Sequence, residues 1–131
     1  MLRFHKPLDI ITLFHKASSP ASARVVAALR KASEAAAESS AANSSGRSEF
    51  QLDITEAPPT PDQLQTILGY VGRQGIPSVV TGANDEAEAM KKFKENVENF
   101  RRPVVVDWNN GKVVASENES EILKMINALP K

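Results

Sequence analysis

The stretch Val104-Val105-Val106-Asp107-Trp108-Asn109-Asn110-Gly111-Lys112-Val113-Val114 constrains the fold of this chain more than any other. Three consecutive valines make a strand that is apolar on both faces, and a sheet must be covered on both sides to bury it. Asn109-Asn110-Gly111 then supplies residues that tolerate the positive φ of a tight hairpin. Lys112–Ala115 reads as the return strand. Pro103 opens the pair, since a proline lacks the N–H that a strand interior would need.

The rest of the chain supplies what such a sheet requires. Leu8–Phe14 is a second continuous apolar run with β-branched residues at its centre. Ser19 is placed to cap a helix that Pro20 begins, because serine accepts from a first-turn N–H and proline suits the first helical position. Val25, Val26 and Leu29 make that helix's apolar stripe. The segment at 31–48 has no aliphatic residue larger than alanine. It is expected to be a frayed helix end followed by a flexible Ala/Ser-rich insertion at about 33–48. Glu49–Thr55 alternates apolar and polar residues and reads as a strand.

Thr60, Pro61 and Gln63 form a capping box ahead of Leu64, Ile67, Leu68 and Val71, with Gly72 as the stop. Residues 73–84 are expected to be a loop. Asp85 caps a further helix whose stripe is Ala89, Phe93, Val97 and Phe100. Asn118 caps the last helix, with Glu121 three residues on and Ile122, Met125, Ile126 and Leu129 facing inward. The order β-α-β-α-α-β-β-α describes a three-layer α/β domain with a central mixed sheet of about four strands flanked by helices. A chain of 131 residues is the size of one such domain, spanning 1–131.

Composition removes several functions. Sixteen basic and sixteen acidic residues cancel, so the chain carries no basic footprint for nucleic acid. No apolar run approaches the ~20 residues of a membrane span. There is no cysteine, hence no disulfide, thiolate nucleophile or Cys-based metal site. His5 and His15 form no metal motif, and no glycine-rich nucleotide loop is present, so no cofactor is expected. A monomer that meets an unknown small molecule or protein is the expected state. The start, Met1 to Pro7, is basic and free of acids, the charge sign of a mitochondrial presequence, although Asp9 and a strand follow at once.

Ile11-Thr12-Leu13-Phe14-His15-Lys16-Ala17-Ser18-Ser19-Pro20-Ala21-Ser22 resembles the start of the bacterial arsenate reductases, where a similar strand leads into a loop holding a nucleophilic cysteine. Residues 101–126 are similar to that family's later Arg-Pro pair, hairpin and closing helix. The resemblance is closer to a fungal group of mitochondrial redox proteins of thioredoxin-like fold, through "TPDQLQ", "VDWNNGKVV" and "ESEILKM". It implies a thioredoxin-like fold, a mitochondrial location and redox chemistry on small oxidised or toxic molecules.

Carried over by position, the resemblance implies binding roles for four residues. Ser18 and Ser19 occupy the stretch of the arsenate-reductase cysteine. Arg102 and Pro103 match a pair whose arginine binds oxyanion and whose proline is often cis. A second arginine of that pattern would lie at 115–117, where this chain has Ala-Ser-Glu. The helix that holds a cysteine in part of the fungal group offers Lys92 or Phe93 instead.

Each candidate has a plainer alternative. Ser19 is either a nucleophile with His15 as its base or a helix cap worth about 1 kcal/mol. Arg102 either holds an anion beside the start of the first helix or is a solvated residue flanking a strand. Asp107 and Trp108 read as a capped turn and a partly buried aromatic. Two function classes follow: a redox protein by resemblance, for which every candidate thiol is missing, and a non-catalytic thioredoxin-like binding or interaction module. Fold does not decide between them.

Overall fold

The computed structural model describes residues 9–41, 50–115 and 118–127. The elements run β1 (Asp9–Phe14), α1 (Pro20–Ala41), β2 (Phe50–Thr55), α2 (Pro61–Val79), α3 (Glu86–Glu95), a 3-10 turn (Val97–Asn99), β3 (Val104–Asp107), β4 (Lys112–Val114) and α4 (Glu119–Asn127). The four strands form one mixed sheet in the order β2-β1-β3-β4. β1 pairs parallel with β2, antiparallel with β3, and β3 pairs antiparallel with β4.

The pleat divides the core into two layers. Phe14, Val104 and Val106 face α2 and α3, where they pack on Leu64, Ile67, Leu68, Phe93 and Phe100. Ile11, Leu13 and Val105 face the other way, onto Val25 and Leu29 of α1 and Ile122 and Ile126 of α4. Side chains alternate across a strand, so the three-valine run serves both layers at once. Phe100 stands edge-on to Phe14 and Phe93, with centroid distances of 5.4 and 6.4 Å.

Four differences from the sequence expectation have local causes. α1 continues to Ala41, ten residues past Lys31, because residues 32–41 contain no glycine or proline and alanine is the strongest helix former. Ala32 within that extension is buried against the α4 layer. The remainder of the expected flexible insertion, 42–48, lies outside the described residues, as do Leu8, Glu49 and Leu129.

Residues 73–79 are helical rather than a loop. Gly72 does interrupt the helix, at φ 71° and ψ 172°, but the helix restarts and buries Ile76 and Val79.

α3 stops at Glu95, where Asn96 turns extended and caps the 3-10 turn by accepting from Glu98 N at 2.9 Å. This leaves Val97 45% exposed rather than in the core.

Phe100 reaches the core from extended backbone instead of a helix. Val80 and Phe100 form an antiparallel bridge, flanked by Arg101 N to Val79 O at 2.8 Å and Thr81 N to Asn99 O at 2.9 Å.

Candidate functional site

Phe14 pairs with Thr55 on β2 and Val104 on β3. That register brings three segments to one end of the sheet: the corner after β1 with Ser18 and Ser19, the chain leaving β2 at Glu56, and Arg102-Pro103 entering β3. All four candidate residues therefore share one end of the fold.

Ser19 acts as the cap of α1. Its Oγ accepts from Ser22 N at 3.2 Å and its carbonyl accepts from Ala23 N at 3.1 Å. Its own N–H donates to Lys16 O at 3.0 Å, which closes the corner as a turn. Ser18 is exposed beside it.

His15 is hydrogen-bonded to Ser22 rather than to Ser19. Its Nδ1 lies 2.6 Å from Ser22 Oγ, and Ser22 is fully buried. The tautomer of the imidazole decides which of the two donates. Ser22 Oγ also accepts from Lys16 N at 3.0 Å. Ser22 stands at the third helical position, so its hydroxyl reaches back over the corner as the Gln or Glu of a capping box would. The sequence signal was the Ser19-Pro20-Ala21-Ser22 spacing, and Ser22 was not singled out from it.

Arg102 is anchored rather than solvated. Its side chain is only 10% exposed. Nη1 donates to Glu56 O at 3.0 Å, and Nη2 pairs with the Glu98 carboxylate. Nε is buried with no hydrogen-bond partner among the described residues. One guanidinium thus ties the end of β2 and the 3-10 turn to the start of β3. The Arg102–Pro103 peptide bond is cis, and Pro103 is buried. Phe93 belongs to the core and Lys92 is half-buried. Ala115 lines the β4 side of the core, while 116 and 117 lie outside the described residues.

The opposite end of the sheet holds a polar cluster that the sequence did not reveal as one. Asp9 and Asp107 are buried, and Asn110 Nδ2 donates to both carboxylates, at 2.9 and 2.8 Å. Asn110 N also donates to Asp107 Oδ1 at 3.3 Å. Asn109 Oδ1 accepts from Ile10 N at 2.8 Å, and Trp108 Nε1 donates to Thr12 Oγ1 at 2.8 Å. The hairpin loop is thereby fastened to β1. Asp107 and Trp108 fill the capped-turn and half-buried aromatic roles expected of them.

Among the described residues no group of three or more His, Cys, Asp or Glu could hold a metal ion. No described helix is long and apolar enough to cross a membrane.

Over 64 residues the chain is 39% identical to a Schizosaccharomyces pombe protein named "Putative redox protein fmp46, mitochondrial". The aligned stretch covers 49% of this chain and 53% of that protein, so the chain spans about half the length of the curated relative it matches. A family model described as a protein of unknown function, DUF1687, matches residues 2–117, which take in every strand of the sheet and both ends of it. The chain belongs to the DUF1687 family.

Proposed function

We propose that this chain is a mitochondrial protein of thioredoxin-like fold that binds at its strand-to-helix corner and performs no thiol chemistry of its own. The observation that carries the reading is the corner itself. No cysteine exists in the 131 residues, Ser19 Oγ is engaged as a cap, and His15 and Ser22 are engaged with each other. A serine nucleophile needs a base within reach and an accessible oxygen. Ser19 lacks the first and Ser22 lacks the second.

The fold reading is supported by the β-α-β-α-α-β-β-α order and the β2-β1-β3-β4 sheet. The location is supported by the name of the Schizosaccharomyces pombe relative. The binding face comprises Ser18, Ser19, Arg102 and Pro103, and its ligand is a small molecule or protein group bearing a negative charge. A helix start favours an anion through its dipole. Among the described residues Arg102 Nε is buried and has no hydrogen-bond partner. Glu98, which now shares the guanidinium, is 56% exposed and can swing away.

Chemical-shift titration with sulfate tests this face. Shifts at Ser19 and Arg102 in the millimolar range, lost in Ser19→Asp and weakened in Arg102→Ala, are the expected result. No shift at either residue overturns it.

A redox protein acting on small oxidised or toxic molecules is the second reading, favoured by the relative's name. It requires an electron carrier that the chain does not itself supply. Thiol–disulfide exchange and arsenate reduction, measured beside a cysteine-containing relative, should show turnover only for the relative. Turnover by this chain would replace the binding reading with the redox one.

A further inference from the structure

β4 is an outermost strand of the sheet, and among the described residues nothing pairs with its free side. An edge strand presents a row of backbone N–H and C=O groups ready to bond another strand. Here that edge is the floor of a cleft of about 740 Å³, formed by residues 111–115. Tyr70, Val71 and Gly75 of α2 make one wall, and Glu121, Lys124 and Met125 of α4 make the other.

The walls decide what can enter. A second copy of this domain would have to bring its own α2 and α4 in beside these helices to set its β4 on the floor. A single extended chain meets no such obstacle. The five-residue floor is about 16 Å long at the rise of a strand, enough for about five residues of peptide.

The walls also decide which side chains the peptide carries. Val113 and Ala115 pack into the α2 layer, whereas Val114 packs into the α4 layer. Residues added alongside β4 alternate in the same way. Those on the α2 side meet Val71 and Tyr70, and Tyr70 is 37% exposed, one of three large hydrophobic side chains so exposed among the described residues. Those on the α4 side meet Lys124 and Lys112, the latter sharing a face with Val114 two residues on. Both lysines are exposed, and neither is ion-paired among the described residues. Glu121 is the single carboxylate among the residues that line the cleft; Asp107, the cross-strand partner of Lys112, is engaged by Asn110.

We propose that this cleft binds an extended segment of a partner protein, added beside β4 as a fifth strand, in which apolar and acidic residues alternate. Backbone bonds to an edge strand supply affinity in this mode, and the alternate side chains supply specificity. The site lies at the edge of the sheet rather than at the corner that holds Ser19 and Arg102, so each is tested at its own residues.

The test uses the full chain and two capped pentapeptides, Val-Glu-Val-Glu-Val and Val-Lys-Val-Lys-Val. The acidic peptide is expected to shift the amide resonances of residues 112–115 and the ring resonances of Tyr70, and the basic one to leave them in place. Lys112→Gln combined with Lys124→Gln, two exposed changes that leave the core intact, should weaken the acidic peptide about tenfold. Methylating the peptide's backbone nitrogens one at a time should abolish binding at alternate positions only, the signature of strand addition.

Three results would overturn the proposal: equal binding of both peptides, no shifts at 112–115, or slow exchange in the free protein of those amides among 112–115 that point away from β3. The last would mean that a segment of this chain or a second copy already occupies the edge, and sedimentation at two concentrations would tell these apart.

Discussion

His15 Nδ1 and Ser22 Oγ stand 2.6 Å apart, the imidazole half-buried and the hydroxyl completely so. The pair closes the corner from beneath while Ser19 caps it from above. The two serines therefore differ in what their loss leaves behind. Ser22→Ala strands both the Lys16 N–H and a polar ring nitrogen next to the core. It should cost about 2 kcal/mol, the penalty of unsatisfied buried groups. Ser19→Ala removes one cap bond and should cost about 1 kcal/mol. Urea denaturation of the two variants checks the order, and equal losses would show that the His15–Ser22 bond contributes nothing.

Ser19→Asp should keep most of the stability. Aspartate caps as well as serine, and its charge is favourable at a helix start. A loss as large as that of Ser19→Ala would mean that the Oγ contact at 3.2 Å is not a cap at all.

At the other end of the sheet, Asn110→Ala removes both side-chain donors that bridge Asp9 and Asp107. Bonds to charged groups are worth more than neutral ones, and the expected loss is about 3 kcal/mol. Thermal unfolding of this variant beside the exposed control Lys112→Ala measures it. A loss equal to the control's would show that the bridge is not a source of stability.

Two glycines of α2 should respond with opposite signs. Gly72 sits at φ 71° and ψ 172°, a region open to glycine alone, so Gly72→Ala should lose about 1–3 kcal/mol although nothing lies near the added methyl. Gly69 lies three residues earlier in regular helix, also with open space around it. Gly69→Ala should gain up to about 1 kcal/mol from helix propensity. Denaturant midpoints of the two single variants decide the matter, and a shift of the same sign in both would contradict the break at Gly72.

What was legible in the sequence was local. The capping residues Thr60, Gln63, Asp85 and Asn118 sit within four residues of what they cap, and each makes its expected bond. The hairpin and the three-valine strand were equally plain, because their signals are turn chemistry and an unbroken apolar run. The restart of α2 was hidden by Gly75 and Pro77, which read as loop punctuation. Ile76 and Val79, three residues apart, were the only helical sign, and their burial decides the matter. The arrangement of both sheet ends was beyond local reading. Asp9 and Asn110 are separated by 101 positions, and Arg102 meets the carbonyl of a residue 46 positions before it. No spacing rule connects such residues until a sheet register does. The cleft beside β4 needs three elements at once, and none of them shows it alone.

The six residues of β1 are each paired with β2, and the last four are paired with β3 as well. Its first residue belongs to the Asp9–Asn110–Asp107 bridge, and its last leads directly into His15. One strand about 20 Å long is thus the spacer that sets the distance between the hairpin and the corner. Neither end can shift along the sheet without breaking pairs on both sides of that spacer. A ligand arriving at either end meets a rigid backbone beneath it, and any adjustment it provokes falls to the helices and the side chains that overhang the sheet.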